Sequence, residues 1–523
     1  MLAQPHENWD IAMKTQFSKF ILTGALVFSV TQLTACYNSG NTVSSANSSS
    51  NNITSVPSNT YDCLVDPEWI TNPSFPIEVK KSGPDGSSNF CDFYQFSTQA
   101  YLYLMSPSSE DASLRNFQVN AHYPLLEFND DAIGSPANSC DDIKSPKTLR
   151  TSLQKSSIST GQAGGGSTIY AQDGNVVYYD VRFNRSLCDL PASAVELAKR
   201  NIINFPSGTT ELKFAWKVLS DSEKQANQFV TQQQIIEGKS QTLGLLGMHI
   251  AVATTDHPEF VWATYEHNTN SPTCDAQGTQ DTPWLFASQS CTASLPGSAE
   301  SDNACQFNQP KVTNGPATGK PTNICAVYPY GTASGDHKAA ENLANIVSQN
   351  SHLYGSLSAT SAPMPMQILN NYFNVGAIWV SDTSKSSGGI GVPNERGSLR
   401  LANSVAETDF QHVNLNNNFS SNCFGCHQYS GTSQSMSNNI TSQKLSHSFI
   451  DIITGQGKAA DVNAISQIPS NAQAARICGG NPSADNDKER KGTCKNARGY
   501  LKWNGNWTNI NRSAGSVCGC EVE

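Results

Sequence analysis

The chain has 523 residues, 15 % of them charged, with a formal net charge of -10 and fifteen cysteines. That length allows two to four domains and a sizeable core. The acidic balance, with no long basic run, excludes nucleic acid as a partner. The cysteine count argues against a reducing compartment.

In chain order, the first signal begins at Met13, where the sequence reads MKTQFSKFILTGALVFSVTQLTAC. Lys14 and Lys19 precede an apolar run from Phe20 to Val30. The run is too short for a stable membrane-spanning helix, so residues 1–35 read as a signal peptide with translation expected to start at Met13. It closes in Leu33-Thr34-Ala35-Cys36. This tetrad resembles the lipobox of bacterial lipoproteins, and the resemblance implies cleavage before Cys36 and lipidation of its thiol. The alternative is a plain secretory signal that leaves Cys36 free. Tyr37 stands where an inner-membrane retention signal places Asp, which points to the outer membrane. Residues 36–60 are the lipidated cysteine and a Ser/Asn-rich tether that buries too little apolar surface to order itself. The expected location is the cell envelope, with membrane contact through the lipid.

Setting aside Cys36, Cys423 and Cys426 leaves twelve cysteines. Eight lie in the body (Cys63, Cys91, Cys140, Cys188, Cys274, Cys291, Cys305, Cys325) and four at the end (Cys478, Cys494, Cys518, Cys520). Each group is even and can close entirely into disulfides in an oxidising space. Pairing of sequence neighbours is expected in the body, as in Cys63 with Cys91 and Cys140 with Cys188.

The body, residues 61–420, reads as β-rich. Val177, Tyr179, Val181 and Phe183 alternate with more polar residues after an Asp173-Gly174 turn, a hairpin signature. Leu212, Phe214, Trp216 and Val218 alternate likewise, as do Val261, Ala263 and Tyr265, and all three runs are expected to be half-buried strands. Ala340, Leu343, Ala344 and Val347 have helical spacing and predict one amphipathic helix. Gly164–Ser167 and the Ser-Gly run near Ser386 are expected loops, and no internal repeat is present. The fold class is therefore α+β. Gly247-Met248-His249-Ile250 and FVWATYEHN (Phe260–Asn268) are similar to segments of exported bacterial proteins that end in a cytochrome c motif. His249 and His267 lie in these apolar runs. They are either hydrogen-bonded core histidines or groups facing a cofactor.

Residues 421–460 carry the chemistry. Cys423, Cys426 and His427 form C-x-x-C-H, the attachment signal for haem c. Chance placement at this composition gives only about 0.01 such matches over the chain. A redox C-x-x-C pair normally sits in a βαβ context, and a zinc site needs further ligands at close spacing. Neither accompanies this motif. Cys423 and Cys426 are thus the expected thioether positions, and His427 the expected proximal ligand of haem c. The sixth ligand is open, with Met436, His447 and His267 as first candidates and Met364, Met366, His412 and His249 as further ones. Small class I cytochromes place a ligating Met far beyond the anchor, and no Met follows Met436.

The last stretch is compositionally separate. Ser470–Ala474 opens an alanine-rich segment expected to be helical up to Cys478. Tyr500–Thr508 (YLKWNGNWT) and Ser516–Cys520 (SVCGC) follow. This order resembles the mannan-binding lectin family over about 468–522. The resemblance implies a small disulfide-stapled module of antiparallel sheet plus helix over 465–523, binding a mannose-containing glycan. Asn471, Gly505 and Trp507 match the family pattern. Asn506 replaces a Gln, Pro469 a Trp, and Gln473 a Glu that would accept sugar hydroxyls. Aromatic rings stack on apolar hexose faces and amides pair with hydroxyls, so the expected sugar site is Asn471, Trp503, Asn504, Gly505, Asn506 and Trp507. The alternative is that both tryptophans fill the module's small core. The functional expectation is an envelope haem c protein with a glycan-binding module. The alternatives are a glycan-binding adhesin without working haem and a haem-dependent oxidoreductase acting on carbohydrate. No redox partner is legible.

Overall fold

The computed structural model describes residues 62–119, 121–123, 169–184, 205–236, 239–279, 281–297, 305, 307–308, 321–383, 394–408, 411, 422–427, 501–511 and 515–522. The strands are β1 Val177–Phe183, β2 Thr210–Val218, β3 Thr231–Ile236, β4 Lys239–Val252, β5 Val261–His267, β6 Tyr372–Val380, β7 Glu395–Gly397, β8 Leu501–Asn511 and β9 Gly515–Val522. The α-helices are α1 Glu68–Thr71, α2 Phe90–Met105, α3 Asp221–Ala226, α4 Gln289–Thr292, α5 Ala339–Ser358, α6 Met364–Gln367 and α7 Cys423–Cys426. Among the described residues no helix is long and apolar enough to cross a membrane.

One seven-stranded antiparallel sheet organises the body, in the order β1-β2-β4-β5-β6-β7, with β3 paired to the first half of β4. The α+β expectation holds. The three alternating runs are strands, with Val177 opposite Lys217 and Phe214 opposite Met248 in a continuous ladder. The Asp173-Gly174 turn forms, with Gly174 at φ +83° and Asn175 N–H donating to Asp173 Oδ1. The segment before it contributes only a Tyr170–Val176 bridge, and β1 finds its long partner in β2 instead.

One face of the sheet packs against α2 and α5 in the main core, which holds Phe93, Tyr101, Trp216, Tyr265, Leu353 and Trp379 among others. Tyr101 stacks on Tyr265 at 3.9 Å and Phe93 on Trp379 at 3.9 Å, so two aromatic pairs lock α2 to β5 and β6. A capping box starts α2: Asn89 accepts from Asp92 N–H and Asp92 accepts from Asn89 N–H. Asn89→Ala is expected to cost about 1 kcal/mol, read as a lowered midpoint in urea unfolding.

Two expectations about burial are corrected. Strand β5 is not half-buried; all seven of its residues are buried. Its second face lies under the segment 398–408. There Asn403 donates to Thr264 Oγ1 and to the Tyr265 carbonyl, and Ser404 donates from its N–H and hydroxyl to Glu266. Gly247 on β4 makes this approach possible, since a Cβ there would stand 2.6 Å from Asn403 Nδ2. The predicted helix exists as α5, but Ala340 and Val347 on the predicted face are exposed. The buried face carries Asn342, Asn345, Ile346, Gln349, Leu353 and Leu357. Its amides meet polar partners: Asn342 bonds Tyr94 and Ser398, and Asn350 and Gln349 clamp Asn374 of β6.

Three disulfides are present among the described residues. Cys63–Cys91 is the expected neighbour pair. The other two are nested rather than sequential: Cys274–Cys325 encloses Cys291–Cys305. A parallel bridge between Thr273 and Ala326, with Cys274 N–H donating to Ala326 O, brings Cys274 and Cys325 to a Cα separation of 4.9 Å. Loop-closure entropy grows slowly with loop length, so backbone pairing decides the connectivity rather than sequence proximity. Cys140 and Cys188 lie outside the described residues.

The expected C-terminal strands form a two-stranded antiparallel hairpin, β8–β9, with Trp503 opposite Cys520 and Trp507 opposite Cys518. The segment expected to be helical before it, with Asn471, Cys478 and Cys494, lies outside the described residues. So do the expected signal peptide, Cys36, the expected tether, and the expected loops Gly164–Ser167 and near Ser386.

Candidate functional site

The C-x-x-C-H segment folds as the single helical turn α7. Asn422 is its N-cap and His427 its C-cap, with His427 N–H bonded to Cys423 O at 2.9 Å. An asparagine ahead of a helical turn is a strong cap because its side-chain oxygen takes an otherwise orphaned N–H. Here Asn422 Oδ1 accepts from Gly425 N–H at 2.9 Å. The same side chain works outward: Nδ2 donates to Glu395 Oε2 at 2.8 Å and to the Leu399 carbonyl at 2.9 Å. Asn422 and Glu395 are both buried. The turn is therefore bolted to the β7 edge of the sheet by a buried hydrogen bond.

Its apolar residues point into β5. Phe424 is fully buried, edge-on to Trp262 at 6.4 Å. The His427 ring lies 4.6 Å from the Trp262 ring at 47°, and the histidine is only 9 % exposed. Trp262 is itself held. Its indole N–H donates to the Glu259 carbonyl at 3.2 Å, Phe260 stands edge-on at 5.4 Å, and its backbone faces Ala251 on β4 and Ile378 on β6.

Beside this cluster, Phe260 turns the chain at φ +70°, and just before it His257 Nδ1 lies 2.9 Å from Glu259 Oε1. Burial pushes the Glu259 carboxyl above the usual carboxylate range, and the His257 contact opposes that shift. Further along β5, Glu266 is also raised by burial, against the two hydrogen bonds from Ser404.

Of the histidines weighed as cofactor-facing, His249 sits opposite Thr264 on β4, with Nε2 2.7 Å from Glu407 Oε1. His267 is a core histidine. Nδ1 accepts from Thr269 N–H and lies 2.8 Å from Thr269 Oγ1, Nε2 lies 3.2 Å from the Gln228 carbonyl, and the ring stacks on Phe229 at 4.2 Å. Both ring nitrogens are occupied, so this geometry favours the hydrogen-bonded reading for His267 over ligation. Met364 is 83 % exposed on α6, whereas Met366 is in the core. Met436, His447 and His412 lie outside the described residues. Among those residues no group of three or more His, Cys, Asp or Glu side chains is placed to hold a bare metal ion.

Sequence reasoning missed the partners of the turn. Asn422 has the right residue type for a cap, and Trp262 lies within the FVWATYEHN run, but nothing in the sequence ties either to Cys423. Compared with known proteins, the chain matches no family model, no curated protein and no solved structure.

Proposed function

We propose that this is an exported, lipid-anchored envelope protein that carries haem c on the Asn422–His427 turn and binds a mannose-type glycan through its C-terminal module. The observation that carries the reading is the turn itself. The helical turn runs from Cys423 to Cys426 and His427 follows as its C-cap, so one short turn carries all three residues of the motif. This donor set fits covalent haem. Cys423 and Cys426 hold the porphyrin, His427 ligates the iron, and Asn422 fixes the turn against Glu395. When bound, haem supplies a one-electron couple, used for electron transfer or for redox chemistry on a held substrate. Export fits the three disulfides among the described residues of the body. For the module, support comes from the β8–β9 hairpin, in whose backbone register Trp503 pairs with Cys520 and Trp507 with Cys518.

The test uses the full chain made in a strain with c-type maturation. The intact mass is expected to include one porphyrin, with a Soret band that survives acid-acetone extraction, and the paired change Cys423→Ser/Cys426→Ser is expected to abolish both. A wild-type chain without porphyrin overturns the haem assignment. Glycan-array binding of the same protein, compared with Trp507→Ala, tests the module: equal binding removes the glycan assignment.

A further inference from the structure

The Trp262 ring meets the His427 imidazole, and it is built as a fixed wall. It stands on β5, flanked on both sides by hydrogen-bonded strands, is 5 % exposed, and has its indole N–H committed to the Glu259 carbonyl. Phe260 and Phe424 close its edges at 5.4 and 6.4 Å, at 78° and 75°. A ring so constrained cannot rotate away, so it limits the imidazole in turn. Asn422 fixes the backbone of the turn through Glu395 and Leu399. The histidine is thus set by its main chain at one end and by an indole at the other.

We propose that Trp262 is the positioning residue of His427: it fixes the plane of the ligating imidazole and keeps water from that side of the iron, and so raises the reduction potential. The inference rests on the reading of the turn as a haem c anchor. Outer groups that orient a ligating histidine tune its metal as strongly as the ligand itself. A dry, apolar wall penalises the oxidised centre, which carries one more positive charge than the reduced one. Removing the indole admits water and frees the imidazole, and both changes favour the oxidised form.

The experiment compares full-length wild type, Trp262→Ala, Trp262→Phe and Trp216→Phe, each made in a c-type maturation strain. Covalent haem is counted by pyridine haemochrome, and the potential is read by spectroelectrochemical titration. Trp216 is a fully buried tryptophan on β2, two strands from β5, and controls for general loss of packing. All four proteins are expected to hold one covalent haem. Trp262→Ala is expected to shift the redox equilibrium roughly tenfold toward the oxidised form, about 59 mV for a one-electron couple. Trp262→Phe is expected to shift it part of the way and Trp216→Phe not at all. If Trp262→Ala does not fold, Trp262→Phe decides. Covalent haem with an unchanged potential in both Trp262 variants, or an equal fall in Trp216→Phe, overturns the role of Trp262 and leaves the anchor standing. A wild type without covalent haem overturns the anchor, and the inference with it.

Discussion

Gly397→Ala is expected to destabilise the body by about 2–5 kcal/mol and to lower the yield of covalently loaded protein in the same preparation. Gly397 ends β7 at φ +89°, where an L side chain costs about 1–2 kcal/mol. A Cβ there would also overlap the Ala377 carbonyl oxygen and stand 2.5 Å from Cζ3 of Trp379. Neither neighbour can yield. The carbonyl accepts the Ser398 N–H, and the indole is stacked on Phe93. Overpacking of this kind adds about 1–3 kcal/mol. Gly86 supplies the comparison, because its φ is +78° and a methyl there would meet nothing within 4 Å, so Gly86→Ala carries the backbone cost alone. The loading defect follows from position. Glu395 and Leu399, the two acceptors of Asn422, lie two residues to either side of Gly397. Equal midpoints for the two alanine variants in chemical denaturation would show that no overlap exists at 397.

What was legible in the sequence divides along a physical line. Period-two alternation at Val261, Ala263 and Tyr265 locates β5 because side-chain direction is a local property. The burial of its other face depends on Asn403 and Ser404, polar residues about 140 positions on, which no hydropathy pattern marks as a lid. In α5 the apolar residues announce the helix, but amides at 342, 349 and 350 decide which face turns inward. Asn and Gln count as surface in any pattern, and they can be buried only because Tyr94, Ser398 and Asn374 are there to meet them. C-x-x-C-H is readable because covalent chemistry demands fixed spacing. The Glu395 anchor and the Trp262 wall are not, because contact between distant residues is free to use any spacing. The nested disulfides make the same point: the Thr273–Ala326 bridge that aligns Cys274 with Cys325 leaves no trace in the cysteine count.

His267 gives the body a pH dependence of defined sign. Burial pulls its pKa down from 6.5 to about 4 in the folded protein, while the Gln228 carbonyl opposes that shift. In the neutral ring Nδ1 accepts from Thr269 N–H and Nε2 donates to the Gln228 carbonyl, so the buried imidazole is satisfied without a second proton. The unfolded chain takes up that proton as pH falls below 6.5, whereas the folded chain resists until about 4. The contribution of His267 is therefore present in full above pH 6.5, is lost as pH falls toward 4, and amounts to about 3 kcal/mol in total. Glu259 and Glu266 act in the opposite sense. Their raised carboxyls keep protons that the unfolded chain releases, so they favour the fold as pH falls. The wild-type curve alone mixes these effects, and the subtraction of His267→Phe separates them. That variant keeps a flat ring between Phe229 and Tyr372 and removes the titration. Wild type is expected to lose about 2 kcal/mol relative to His267→Phe between about pH 7 and pH 4.5, measured by urea unfolding at each pH. A constant difference across that range would mean that the folded imidazole accepts its proton as readily as the unfolded one, and that burial does not hold it neutral.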